Sequence, residues 1–198
     1  MSRKNLFRSI LLLNAVLLTT DIYAVDLALT FRANIKETTC DMYISGGTAS
    51  GELANSTTIT ITIGSSGLVR LDEILQGTSG TGNNTASFAL NIKECPPGLT
   101  GIKTIVTAAP LAPSTTAIIN SAFSGAANHI GVTIARLDRP DQPFTLNSDV
   151  DSQRLLWTST DIAAGKVDLL ARLVLVGSDI SKATGQYSGT AIFNFTYN

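Results

Sequence analysis

The chain is 198 residues long, carries 14 Lys and Arg against 15 Asp and Glu with one histidine, and has a formal charge of −1. A balance this even, with no basic cluster, excludes binding driven by nucleic-acid phosphates. Only 15% of the residues are charged and 44% are hydrophobic, so much of the surface must be buried, either in the chain's own core or against other subunits.

Residues 1–24 (MSRKNLFRSILLLNAVLLTTDIYA) begin with Arg3, Lys4 and Arg8, run through an apolar stretch at 10–18 broken by Asn14, and finish on Ala24. This is the layout of a secretory signal peptide cleaved after Ala24. The rival, a retained membrane anchor, would need ~20 apolar residues, about twice what is present. Cleavage removes three basic residues and one acid. It leaves 174 residues with 11 basic and 14 acidic side chains, a net of −3, and that length suits one exported domain.

Directly after the cleavage point, VDLALTFRANI (25–35) places Val25, Leu27, Leu29, Phe31, Ala33 and Ile35 on alternate positions. A two-residue period of this length predicts a strand with one buried face, yet no hairpin turn or partner follows it. Two cysteines, Cys40 and Cys95, remain in an exported chain and predict one disulfide. A metal site would need ligands that two cysteines and one histidine do not supply.

Strands are predicted at 57–64 (TTITITIG), 86–95 (ASFALNIKEC), 101–108 (GIKTIVTA), 130–137 (IGVTIARL), 167–176 (VDLLARLVLV) and 185–198 (GQYSGTAIFNFTYN), all rich in β-branched or aromatic residues. Turn clusters separate them at 45–51, 77–84, 95–98 and 138–143. Residues 68–76 (LVRLDEILQ) are the one candidate for a short helix. Strands at this spacing without helical crossovers predict an all-β, antiparallel sandwich.

Chemistry-bearing motifs are sparse. His129 has no nucleophile motif beside it. Asp149 and Asp151 lack the glycine and terminal glutamate of a calcium loop, and the glycine-rich runs do not match a phosphate loop. Asn55, Asn83 and Asn194 head glycosylation sequons by pattern. Trp157 is read as a core aromatic, with a sugar-stacking platform as its alternative. No enzyme, no cofactor and no metal are expected.

The last segment repeats the pattern of the first. Tyr187, Gly189, Ala191, Phe193, Phe195 and Tyr197 share one face, and Ile192 alone breaks the alternation on the other. An apolar arm at one end and an unfilled sheet edge at the other predict a head-to-tail contact that does not close into a ring. On these residues the sequence resembles the pilin subunits of chaperone–usher fimbriae, type 1 family. Gly185 stands fourteenth from the end and Tyr197 is penultimate, as in that family's C-terminal β-zipper. Cys40 ends a short N-terminal extension, Cys95 precedes a proline–glycine turn, and 131–176 resembles the second half of these subunits.

The resemblance implies an immunoglobulin-like β-sandwich lacking its final strand, which a donor strand from another subunit completes. It divides the chain into a signal peptide (1–24), a donor extension (25–37) and a pilin domain (38–198). Leu27, Leu29, Phe31, Ala33 and Ile35 would be the pocket-filling donor residues. Gly185, Tyr187, Gly189, Ala191, Phe193, Phe195 and Tyr197 would face the chaperone or the next subunit. A periplasmic chaperone, an outer-membrane usher and neighbouring fimbrial subunits are the implied partners, and the bacterial cell surface the implied location, reached through the periplasm. The length of the extension resembles minor or tip-adaptor subunits, with a major rod subunit and an assembly-terminating subunit both left open. The different reading is a self-contained exported β-sandwich that binds a carbohydrate or other ligand through Trp157 and the long loops, among which 45–84 is unusually extended.

Overall fold

Strand β3 (Ile102–Thr107) shows how the two-residue period becomes structure. Ile102, Thr104 and Val106 are at most 1% exposed, while Lys103, Ile105 and Thr107 between them are half-exposed, because successive side chains leave a strand on opposite faces. A computed structural model describes residues 39–46, 59–76 and 82–198, all within the unit Lys36–Asn198. The arm residues Leu27, Leu29, Phe31, Ala33 and Ile35 lie outside the described residues.

The chain builds two antiparallel sheets. In the first, β1 (Asp41–Gly46), β2 (Thr85–Glu94), β6 (Lys166–Leu175) and β4 (Ile130–Arg136) lie in that order; in the second, β5 (Leu155–Leu156), β3 and β7 (Ile192–Tyr197). Phe88 and Leu90 of β2, Val167, Leu169 and Ala171 of β6, and Ile130, Val132 and Ile134 of β4 meet Ile102 and Val106 of β3 in one core. These orders match the A-B-E-D and C-F strands of an immunoglobulin sandwich. Among the described residues no strand stands in the last place, beside β7. Cys40 and Cys95 are disulfide-bonded, tying the start of β1 to the end of β2, where Asp41 pairs with Glu94.

Two short helices punctuate the sheets. The first, α1 (Leu71–Leu75), is shorter than the 68–76 stretch expected, and the Glu73 carboxylate accepts the Arg70 N–H at 2.8 Å. The second, α2 (Ser159–Ala164), was not expected. Its signal is a Thr158-to-Asp161 capping box, in which Thr158 Oγ1 accepts from Asp161 N and Asp161 Oδ2 from Thr158 N, satisfying two orphan donors at once. Arg136 Nη2 reaches Asp161 Oδ1 at 2.7 Å. Burial pushes the Asp161 carboxyl up, but the bonds from Arg136 and Thr158 outweigh it and hold the group below its ordinary range.

Three expectations need correction. The predicted strand at 57–64 begins outside the described residues, and 59–64 forms no ladder. Ile59, Ile61 and Ile63 still pack against the core while Thr60 and Thr62 are exposed. Alternation therefore chose the buried side, but pairing needs a neighbouring edge, and none is offered among the described residues. The C-terminal strand covers only Ile192–Tyr197. Residues 185–191 bond instead to an irregular loop. Finally, β1 was unforeseen, although Met42 and Ile44 alternate with Tyr43 and Ser45.

Trp157 is 5% exposed and its indole N–H donates to Thr104 Oγ1 at 3.0 Å, with Thr104 fully buried. A ring in that position has no free face for a ligand. Thr104→Val should strand the indole N–H and cost about 1–3 kcal/mol. Urea unfolding of residues 25–198, followed by far-UV circular dichroism, measures this, and adding Trp157→Phe should recover part of the loss.

Candidate functional site

The C-terminal strand is half covered. Its partner on one side is β3, with Ile102 opposite Tyr197, Thr104 opposite Phe195 and Val106 opposite Phe193. The three aromatics point toward the core, yet all stay half-exposed, whereas their opposite numbers on β3 are at most 1% exposed. Phe193 leans on Phe88 with ring centroids 5.9 Å apart. Ile192, the break in the sequence pattern, faces outward at 58% exposure. The half-buried row of Ile59, Ile61 and Ile63 rests on the same core. Two apolar rows thus lie on one core, each lacking a ladder on at least one side among the described residues. The sequence showed both rows; only the fold shows that they share a core.

Upstream, 185–191 is fixed by loop contacts. Gly185 has φ +144, and a Cβ there would run into the Gly125 carbonyl and come within 2.8 Å of Ala127 N. Only glycine allows the Gln186 N–H to reach Gly125 O at 2.7 Å. At Gly189 the obstacle would be the Tyr187 ring, which lies where the missing side chain leaves room. Tyr187 donates its hydroxyl to Ile118 O at 3.0 Å, and burial pushes the phenol up to about 12. Ala191 is partly buried against the core. At the far end Tyr197 Oη lies 3.4 Å from the Cys40 carbonyl, and burial raises its phenol as well.

The remaining candidates have structural surroundings. His129 sits at φ +60 with Nε2 3.5 Å from Asp179 Oδ2. Asp151 is paired with Lys103 and Arg154. Asn83 bridges Ser65, Leu68 and Glu73, Asn194 donates to Thr107 Oγ1, and Asn55 lies outside the described residues. Among the described residues no three His, Cys, Asp or Glu side chains come together to hold a metal, and no helix is long and apolar enough to cross a membrane. A shallow cleft of about 290 Å³ on the outer face of the four-stranded sheet is lined by Ser45, Asn91, Lys166 and Asp168 among others. The last two are bound to each other at 3.0 Å.

Comparison with known proteins agrees with this geometry. A family model described as "Fimbrial protein" matches residues 29–198. An uncharacterized fimbrial-like protein, YadM, of Escherichia coli (strain K12) is 25% identical over 191 residues, spanning 95% of each chain. The crystal structure of the P pilus rod subunit PapA is similar with a TM-score of 0.52 at 11% identity, covering 87% of this chain and 100% of that one.

Gly185→Ala should destabilise the domain by about 1–3 kcal/mol, because backbone atoms block the new methyl. Gly189→Ala should cost less, since a side chain can move aside, and thermal melting ranks the two. Tyr187 has a folded pKa of about 12 against an ordinary 10.0. The stability contributed by its neutral phenol is therefore intact below pH 10 and is lost as pH rises toward 12. Spectrophotometric titration should show a phenol ionising near 12 that disappears in Tyr187→Phe; full ionisation of every tyrosine by pH 11 contradicts this.

Proposed function

This chain belongs to the fimbrial protein family, and on that premise we propose that it is a subunit of a chaperone–usher pilus of the type 1 class, in a minor or tip-adaptor position, that polymerises by donor-strand exchange. Fimbrial subunits are structural proteins and carry out no catalysis. In this reading residues 1–24 are the signal peptide, 25–37 the donor extension and 38–198 the pilin domain, exported to the periplasm and built into a fimbrium on the cell surface.

One observation carries the reading. Phe193, Phe195 and Tyr197 face the core and remain half-exposed on a strand whose second edge has no ladder among the described residues. An inserted strand would satisfy that row of backbone groups and cover the aromatics in one step. Main-chain bonds would supply affinity for any extended segment, and alternate side chains would fix the register. Leu27, Leu29, Phe31, Ala33 and Ile35 of a neighbour have the matching period. A periplasmic chaperone would lend the strand first, and the neighbour's arm would replace it at the outer-membrane usher. Ala33 stands where the family usually has glycine, seven residues before Cys40. Its extra methyl needs a roomier acceptor pocket and so narrows the choice of preceding subunit.

The direction of insertion follows from Cys40. Its carbonyl lies beside Tyr197, so the first described residues of the domain, 39–40, stand at the C-terminal end of β7. A neighbour's arm running parallel to β7 would bring a second domain to that same spot. Running antiparallel, it puts the donor domain at the opposite end, next to Gly185, and the domains line up head to tail.

The test compares residues 38–198 alone with the same domain carrying residues 25–37 on a flexible linker after Asn198. The tailed protein should melt roughly 10 °C or more higher, equivalent to several kcal/mol for a domain this size. A tail-free domain that is monomeric and equally stable would mean that no strand is missing.

A further inference from the structure

Phe123 is 106% exposed, the most exposed of the large hydrophobic side chains described. Single apolar residues on a surface are ordinary, but this one is held out by a rigid loop. The Asn120 side chain makes four bonds. Its Oδ1 accepts from Ala122 N and Ser188 N, and its Nδ2 donates to Ala127 O and Gln186 O, at 2.7–3.0 Å. Ser121 donates through both N and Oγ to Ser188 O, at 2.7 and 3.0 Å. On the other side of Phe123, Gly125 O accepts from Gln186 N. An aromatic ring presented by a clamped backbone costs little conformational entropy on binding.

The surroundings suit an interface. Residues 119–128 (INSAFSGAAN) contain no charged side chain, and charge depletion marks interface cores. Ile119, 39% exposed, flanks Phe123 on the same loop. Ile180, 55% exposed, sits on the neighbouring loop, where Asn128 N bonds to Lys182 O. The loop brackets residues 186–188, the entrance to the C-terminal segment.

Resting on the reading above, we propose that Phe123, with Ile119 and Ile180, is a second inter-subunit contact that packs on the domain of the strand-donating subunit, at the proline turn beside its disulfide. In a copy of this chain that turn is residues 95–99 (CPPGL), with Pro97 exposed and Leu99 half-exposed. The tether makes the contact reachable. Four residues separate Ile35 from Cys40, and the five steps between them, fully extended, span at most about 18 Å. The donor domain therefore has to settle at the Gly185 end, where Phe123 stands. Strand insertion would capture the arm, and Phe123 would seat the domain that follows it.

Phe123→Ser separates the two contacts. The acceptor, with its melting temperature checked, is immobilised and loaded either with a peptide of residues 25–37 or with a full-length second copy, and dissociation is followed. The variant should release the peptide within about twofold of the original rate and the full-length copy about tenfold faster. Equal acceleration of both would place Phe123 in the groove and overturn the proposal, and so would no change in either. If the unaltered acceptor holds neither peptide nor full-length copy, strand exchange itself fails and this contact falls with it.

Discussion

A strand edge that keeps aromatic side chains half-covered and, among the described residues, a row of backbone groups without a ladder is the constraint on which the rest of the molecule turns. Peptide N–H and C=O groups near a core must find partners, and an open edge invites another chain to supply them. In this domain β3 satisfies one side of β7 completely, with Ile102, Thr104 and Val106 sealed beneath the ladder. On the other side no strand stands among the described residues, and the proposed assembly would supply one there. Composition agrees with such an economy: few charges, many apolar residues, and a hydrophobic row at 59–63 that packs on the core without pairing.

The region upstream of β7 serves a different end. Gly185, Tyr187 and Asn120 lock the chain against the loop at 118–128, so the open strand starts from a fixed point. An edge that received a partner in one register, as proposed above, would need such an anchor, since a two-residue period tolerates slippage wherever nothing pins it. The glycine does this by what it lacks, allowing two backbones to approach where any side chain would collide.

Much of this was legible in the sequence. Strands β2, β3, β4 and β6 were evident because their alternation and β-branched content agree, and Ile192 was visible as the outward exception in β7. The two cysteines announced their bond. Less legible were features fixed by contacts distant in the chain. The stretch at 57–64 reads as a strand because side-chain period and backbone pairing are separate properties, and a sequence displays only the first. The shortening of the last strand depends on loop partners more than sixty residues away, such as Ser121 for Ser188. Short β1 was hidden by the Gly/Ser cluster that follows it, and α2 by its brevity.

In the head-to-tail fibre proposed above, the disulfide would have a mechanical meaning. Tension would enter each domain beside Gly185, through the inserted strand, and leave through the chain preceding Cys40. Pulled there without the bridge, β1 would bear the load at its first residue with a single ladder, the one to β2, to resist it. The Cys40–Cys95 bridge passes the load directly to the end of β2, a strand flanked by β1 and β6. Force then acts along an interior strand in shear, where many hydrogen bonds must yield together. A covalent link placed at the exit of the arm makes the weakest edge of the sheet a bystander to traction.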